Sequence, residues 1–183
     1  METTVKKVEI RYPGIQDGET FQLEGIEFIK FPSKDGQTVI MAKYPVFRSA
    51  FGKNNDLRSS TVQKKLEKDI LPKIIAEIGA DNLCTVKTDL TTLDGLKPYG
   101  VMESLISIPT LDFYRENVEI FDKHNIREVF WLATPESAKP HCDPVWVLCV
   151  WPSGDVINRI YDYVFAVRPV LILKSSIFES SEV

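Results

Sequence analysis

Short stretches of strict apolar and polar alternation run through most of this chain, and in a few places the spacing widens to that of a helix. Between Val5 and Arg11, Val8 and Ile10 oppose Glu9 and Arg11 before Pro13-Gly14 turns the chain, which predicts an edge strand. Alternation resumes from Thr20 to Phe31 through Phe21, Leu23, Ile26, Phe28 and Phe31. Its one break, at Gly25, predicts a bulge. Ser33-Lys34-Asp35-Gly36 then leads into β-rich Thr38 to Met41, the signature of a hairpin.

Helical spacing begins after Ser60. A Ser three residues before Gln63 satisfies first-turn amides in the manner of a capping box, and Val62, Leu66 and Ile70 form one apolar stripe. That stripe turns inward and leaves Lys64, Lys65 and Lys68 in solvent. Pro72 is expected to break or restart the helix, and Ile74, Ile75 and Ile78 continue it to a C-cap at Gly79. Thr110 caps a third helix with Leu111, Tyr114 and Val118 inward. Between these helices, Thr85 to Met102 has the composition of an irregular loop with one strand. After Ile126 strands are predicted at Phe130–Ala133, Val145–Trp151, Val156–Tyr161 and Phe165–Leu173. The turn Pro152-Ser153-Gly154-Asp155 pairs the middle two antiparallel. The Ser-rich tail, 175–183, is expected to fray, leaving one α+β domain over residues 1–174.

Composition narrows the class. With 183 residues, 44% of them hydrophobic and 26% charged, the chain has the make-up of an ordinary globular domain with one core. The N-terminal lysines lack the apolar run of a secretory signal, and Val145–Trp151 and Pro169–Leu173 are too short to cross a bilayer, so a cytoplasmic location is expected. Cys84, Cys142 and Cys149 contain no C-x-x-C pair, which argues against a disulfide framework or a zinc site. No cofactor and no metal are expected.

Net charge is only −4, which excludes a general electrostatic grip on nucleic acid. The charge is unevenly placed, however. From Lys43 to Lys68, seven cations face two carboxylates, a local +5, so the rest of the chain carries −9. Arg48, Lys53, Asn54, Arg58, Lys64, Lys65 and Lys68, interleaved with Phe47 and Phe51, are the candidate contacts to RNA phosphates or to an acidic protein surface. A solvated helix face is the alternative. His141-Cys142-Asp143 holds three reactive types, but neighbours in sequence point apart and do not make a nucleophile, base and orienter, so no catalytic residue is assigned. Lys139, His141 and Asp143 are instead candidates to line a ligand loop. His124 reads as a polar loop residue. Asp89, Asp94 and Asp112 leave a metal-dependent ribonuclease acting on guide RNA as a further possibility.

Several stretches carry a family pattern: Asn55-Asp56-Leu57-Arg58-Ser59-Ser60, Thr110-Leu111-Asp112-Phe113-Tyr114-Arg115, Phe130-Trp131-Leu132-Ala133-Thr134-Pro135, Gly154-Asp155 and Val167-Arg168-Pro169-Val170-Leu171. From about Glu24 to Leu173 the chain resembles an uncharacterised domain family common in Gram-positive bacteria and their prophages, distantly related to formylglycine-generating enzymes and C-type-lectin-like domains. The resemblance implies a C-type-lectin-like α+β fold, with a twisted antiparallel C-terminal sheet and two to three helices packed on one side of it. Arg168, between Val167 and Pro169, reads as structural on physical grounds, because an arginine amid apolar residues needs a carbonyl or carboxylate partner, and Trp131 and Thr134-Pro135 are similarly expected to anchor the 136–144 loop to the core. The relatives' reactive cysteine pair and calcium-binding segments are missing here, so neither activity is carried over. The prophage setting implies an interaction protein that inhibits a host defence complex, of the anti-CRISPR type acting on a guide-RNA-loaded Cas nuclease. A phage structural or receptor- and glycan-binding module is the alternative.

Overall fold

The computed structural model describes residues 12–180, so the strand expected at Val5–Arg11 lies outside the described residues. Two tight turns organise the first sheet. Glu24 and Gly25 have φ of 50° and 70°, and Asp35 and Gly36 have 52° and 73°. Two consecutive positive φ values are the signature of type I′ hairpin turns, whose twist matches that of strands. They join β1 (Thr20–Leu23), β2 (Ile26–Lys34) and β3 (Gln37–Ala42) into a meander. Gly25 is therefore a turn residue and not a bulge, and the register shift within β2 falls between Lys30 and Ser33.

After β4 (Phe47–Ala50) the chain enters the long helical run. Ser60 Oγ accepts from Gln63 N–H at 2.9 Å, the expected cap, while the Gln63 side chain turns away to Ile106 O and Glu67. Pro72 restarts the helix, one of the two expected outcomes. Between α1 (Thr61–Lys65) and α2 (Leu71–Ile78), residues Leu66–Ile70 form one π turn, with Leu71 N–H reaching back to Leu66 O. This wider turn brings proline into the first turn of α2, where a missing N–H costs least. Two short strands follow, β5 (Leu83–Cys84) and β6 (Val86–Asp89), and β6 pairs with β7 (Val101–Ser104) as a ribbon in the stretch expected to be mostly irregular.

Thr110 Oγ1 caps α3 (Leu111–Glu116) by accepting from Phe113 N–H at 3.1 Å. The helix is then interrupted at Asn117 and restarts as α4 (Val118–Lys123). That break shifts the helical phase, so Val118 is 42% exposed instead of inward, and Phe121 takes the buried place. The C-terminal strands are β8 (Phe130–Pro135), β9 (Trp146–Val150), β10 (Val156–Ile160), β11 (Val164–Val167) and β12 (Val170–Lys174). β9 and β10 pair antiparallel, as the turn between them predicts.

The strands form two five-stranded sheets, ordered β1-β2-β3-β12-β5 and β10-β9-β8-β11-β4, plus the β6–β7 ribbon. All pairings are antiparallel except β11 with β8, which meet in parallel at Ala166 and Phe130. The architecture is mixed α+β and mostly antiparallel. One bent ribbon belongs to both sheets: β3 and β4 run along one side, β12 and β11 along the other. Ala42 N–H to Pro169 O and Val46 N–H to Val167 O, each 3.0 Å, bridge the bend. The single strand expected over Phe165–Leu173 is thus split at Arg168-Pro169, each half serving a different sheet.

Alternate residues of the C-terminal strands enter two cores. Trp131, Ala133, Val147, Cys149 and Val167 pack with Val62, Leu66, Ile70, Ile74 and Ile78 of the long helical run. Phe130, Leu132, Leu148, Val150 and Ala166 pack with Leu111, Tyr114 and Phe121 of the α3–α4 pair. Helices therefore cover both faces and not one, which is why every residue of β8 is buried. Nor does the chain fray from Ser175. Residues Ser175–Phe178 make a 3₁₀ turn with Ile177 and Phe178 buried, Phe178 meets Phe21 edge-on at 5.3 Å, and Ile177 O accepts from Tyr12 N–H at 2.8 Å. Among the described residues, no helix is long and apolar enough to cross a membrane.

Candidate functional site

Asn55 leaves β4 on a short polar loop and is only 1% exposed. Its backbone N–H donates to Pro144 O at 2.8 Å. Its Nδ2 donates to Ser137 O at 2.9 Å and to Trp146 O at 3.2 Å, and its Oδ1 accepts from the Tyr99 hydroxyl at 2.7 Å. Both amide hydrogens and the amide oxygen are satisfied, as burial of an amide requires. One side chain thereby ties together three loops, 51–58, 91–100 and 136–145. Gly52 lets the first of them lie against the start of α1: a Cβ there would sit 3.1 Å from Ser60 Cα and 3.2 Å from Thr61 N.

A second tie runs through Asp94. Its carboxylate accepts from the Thr92 and Ser137 hydroxyls and pairs with Lys139 Nζ at 3.1 Å. The two hydroxyl bonds, and then the lysine, favour the charged form and hold this carboxyl at about 2. Leu93 N–H donates to Pro135 O at 2.9 Å alongside. The 136–144 loop is thus held by Asn55 and Asp94 and not by Trp131 or Thr134. Trp131 is a core residue that donates to Ser49 O, and the Thr134 hydroxyl accepts from Leu111 N–H at the start of α3.

Where the third loop returns to β9, a cleft of about 370 Å³ opens between Glu136, Ser137, Cys142, Asp143, Val145 and Trp146. The Trp146 indole is 39% exposed there, and the Glu136 carboxylate accepts from Asn158 on β10. Of the candidate ligand loop, Asp143 lines this cleft, His141 lies outside its lining, and Lys139 is committed to Asp94. His141, Cys142 and Asp143 are all exposed, and no hydrogen bond joins them among the described residues. His124 Nε2 lies 2.6 Å from Gly18 O, so that nitrogen carries a hydrogen and fastens a loop.

The basic stretch comes apart into paired and unpaired cations. Arg48 forms a two-pronged pair with Glu128. Arg58 does the same with Asp56, at 2.8 and 3.0 Å, and lies over the Tyr99 ring. Lys43 pairs with Glu27 at 3.2 Å, and Lys65 sits over Phe47. The Asn54 side-chain Oδ1 accepts from Asp56 N–H within its own loop. Lys53, Lys64 and Lys68 are exposed and make no ion pair with any described residue. Lys53 and Arg58 share the first loop of the three-loop face, and Lys64 and Lys68 continue from it one helical turn apart.

The acidic trio does not converge. Asp89 and Asp112 border one depression of about 250 Å³, held respectively by Thr91 and Arg115, while Asp94 is turned into the loop tie. Among the described residues no three His, Cys, Asp or Glu side chains gather at metal-binding distances. Asn55, Tyr99, Asp94 and Trp146 organise the face, yet in the sequence Asn55 stands out only within a family pattern and Asp94 only for a different role. No family model, no curated protein and no solved structure matches this chain.

Proposed function

We propose that the chain is a phage- or prophage-borne recognition module of the C-type-lectin-like kind, acting inside a host cell by docking its three-loop face on a macromolecular defence complex. The carrying observation is the Asn55 hub, which turns three irregular loops into one ordered surface. Loops fixed on a rigid scaffold are where binding surfaces are built, and a satisfied buried polar network keeps such a surface in one geometry. The face offers recognition chemistry: an exposed indole, two carboxylates and a fringe of lysines.

The preferred partner is a nucleoprotein, an anti-CRISPR target such as a guide-RNA-loaded Cas nuclease. Lys53, Lys64 and Lys68 are the cations free to displace phosphate counterions. The test is charge reversal of all three, with association to the loaded nuclease measured across salt concentrations. Three lost phosphate contacts reduce the log–log salt slope by about 2, at roughly 0.7 per contact for a single strand. Reversal of Arg48, already paired with Glu128, leaves the slope in place. The guide RNA stays intact throughout in magnesium. A slope unchanged by the triple reversal contradicts the reading.

The cleft favours a second reading, a receptor- or glycan-binding module. Trp146 beside Glu136 and Asp143 offers an apolar plate flanked by acceptors, which suits a hydroxyl-rich or cationic ligand. Glycan-array binding lost in Trp146→Ala, with nucleoprotein binding absent, selects it.

A further inference from the structure

Arg168 is 1% exposed, and its guanidinium lies over Phe130 at 4.8 Å and Phe121 at 5.9 Å. Its Nε is used on Ala42 O, but Nη2 meets no hydrogen-bond partner among the described residues. Ring faces stabilise the charge without satisfying in-plane N–H groups, and a buried charged donor without an acceptor is costly. The guanidinium borders a small, partly open recess of about 10 Å³ whose polar walls are Tyr114, Asp122, Asn125 and Gly154, with Asp122 and Asn125 exposed. That is the room one water needs, about 10–15 Å³.

The walls supply acceptors. The Tyr114 hydroxyl spends its hydrogen on Gly154 O at 2.6 Å, which leaves its oxygen free to accept. Gly154, at φ 91°, carries no Cβ, and one built there would stand 3.4 Å from the Tyr114 hydroxyl oxygen and 3.7 Å from Asp122 Oδ1. Those two oxygens therefore flank the same spot. Asn125 gives its Nδ2 to Pro152 O. Arg168 and Asp122 make no direct ion pair within 4.0 Å.

We infer that this space is a binding site for one ordered water, which accepts from Arg168 Nη2 and donates to Asp122 and the Tyr114 oxygen. Three hydrogen bonds are the usual complement of a buried water. The site makes a solvent-bridged ion pair of Arg168 and Asp122. It fastens the bend between the two sheets to α4 and to the turn between β9 and β10. The Asp122 carboxylate in the wall disfavours a small anion as the occupant.

The test is a pair of atomic-resolution crystal structures of the chain, one without halide and one soaked in bromide. The expected result is a full-occupancy oxygen peak about 2.7–3.2 Å from Nη2, with no anomalous signal after soaking. A bromide peak at that position, an empty space, or Asp122 in direct contact with Nη2 overturns the inference. Asp122→Asn retains the peak, and Asp122→Leu, on the exposed side of its helix, loses it. A peak surviving in Asp122→Leu also overturns the assignment.

Discussion

The Nε–H of Arg168 donates to the carbonyl oxygen of Ala42 across 3.1 Å, at the pair where Pro169 has no N–H to offer. Ala42 N–H still donates to Pro169 O, so this position keeps one of the two bonds that a hydrogen-bonded antiparallel pair normally exchanges. The arginine supplies the other. Its position amid apolar residues is thus the answer to the proline beside it, and the pair together makes the bend that divides one ribbon between two sheets.

Coupling between the two residues follows from that substitution of donors. Arg168→Met orphans a buried carbonyl and should cost about 1–3 kcal/mol. Pro169→Ala alone should cost about 0.4–1 kcal/mol, through the freer unfolded chain. Combined, they should cost less than the sum, because alanine restores a backbone donor for Ala42 O. Urea unfolding of the four proteins measures the coupling, and strict additivity would show that the guanidinium does not stand in for the missing N–H.

Asn55→Ala removes three side-chain bonds at a buried position, with an expected loss of about 2–4 kcal/mol from the orphaned partners. Hydrogen exchange should quicken in the 136–145 loop and around Tyr99, while the amides of β8 and β9 stay protected. Uniform acceleration across the chain would mean that Asn55 is general core and not a loop tie.

Asp94 gives a pH signature. Its folded carboxyl titrates at about 2, below its ordinary value of 3.8, so the loop tie is fully present above pH 4 and is lost as pH falls toward 2. Carbon-detected NMR titration reads this directly. Thr92→Val and Ser137→Ala should each raise the midpoint more than Lys139→Ala, because the hydroxyl bonds outweigh the lysine. A normal midpoint in the wild-type chain would dissolve the tie.

The cysteines should separate by reactivity. Burial pushes the Cys149 thiol up to about 12 and leaves it 0% exposed, whereas Cys142 is exposed on the third loop. At pH 8 a thiol reagent should label Cys142 within the native chain and Cys149 only after unfolding. Native labelling of Cys149 would place β9 outside the core.

What was legible in the sequence was local. Alternation located the C-terminal strands, and the turn at Pro152–Asp155 paired β9 with β10, because a strand with distinct faces displays its period in its own residues. The Ser60 and Thr110 caps were legible for the same reason. Gly25 was misread because glycine marks turns and bulges alike, and the positive φ of Glu24 leaves no trace in a glutamate. Pro72 was legible as the restart of a second helix, but the π turn that precedes it was not, because a π turn is set by packing. Nothing local announces what Asn55 ties together: its partners Ser137 and Trp146 lie 82 and 91 residues away, and they contribute carbonyls that every residue possesses. The basic stretch looked stronger in sequence than in space because Arg48 finds Glu128 across 80 residues.

The claim that the three-loop face is the recognition surface is tested most directly by quantitative capture from a Gram-positive host lysate that contains an assembled, guide-loaded defence nuclease. Wild type is compared with a face variant, Lys53→Glu with Trp146→Ala, and with Glu24→Lys on the remote β1–β2 turn as control. The account predicts that wild type and Glu24→Lys retain the nucleoprotein equally, while the face variant, still folded by its thermal transition, loses at least tenfold. Equal capture by all three proteins, or loss only in Glu24→Lys, would contradict it.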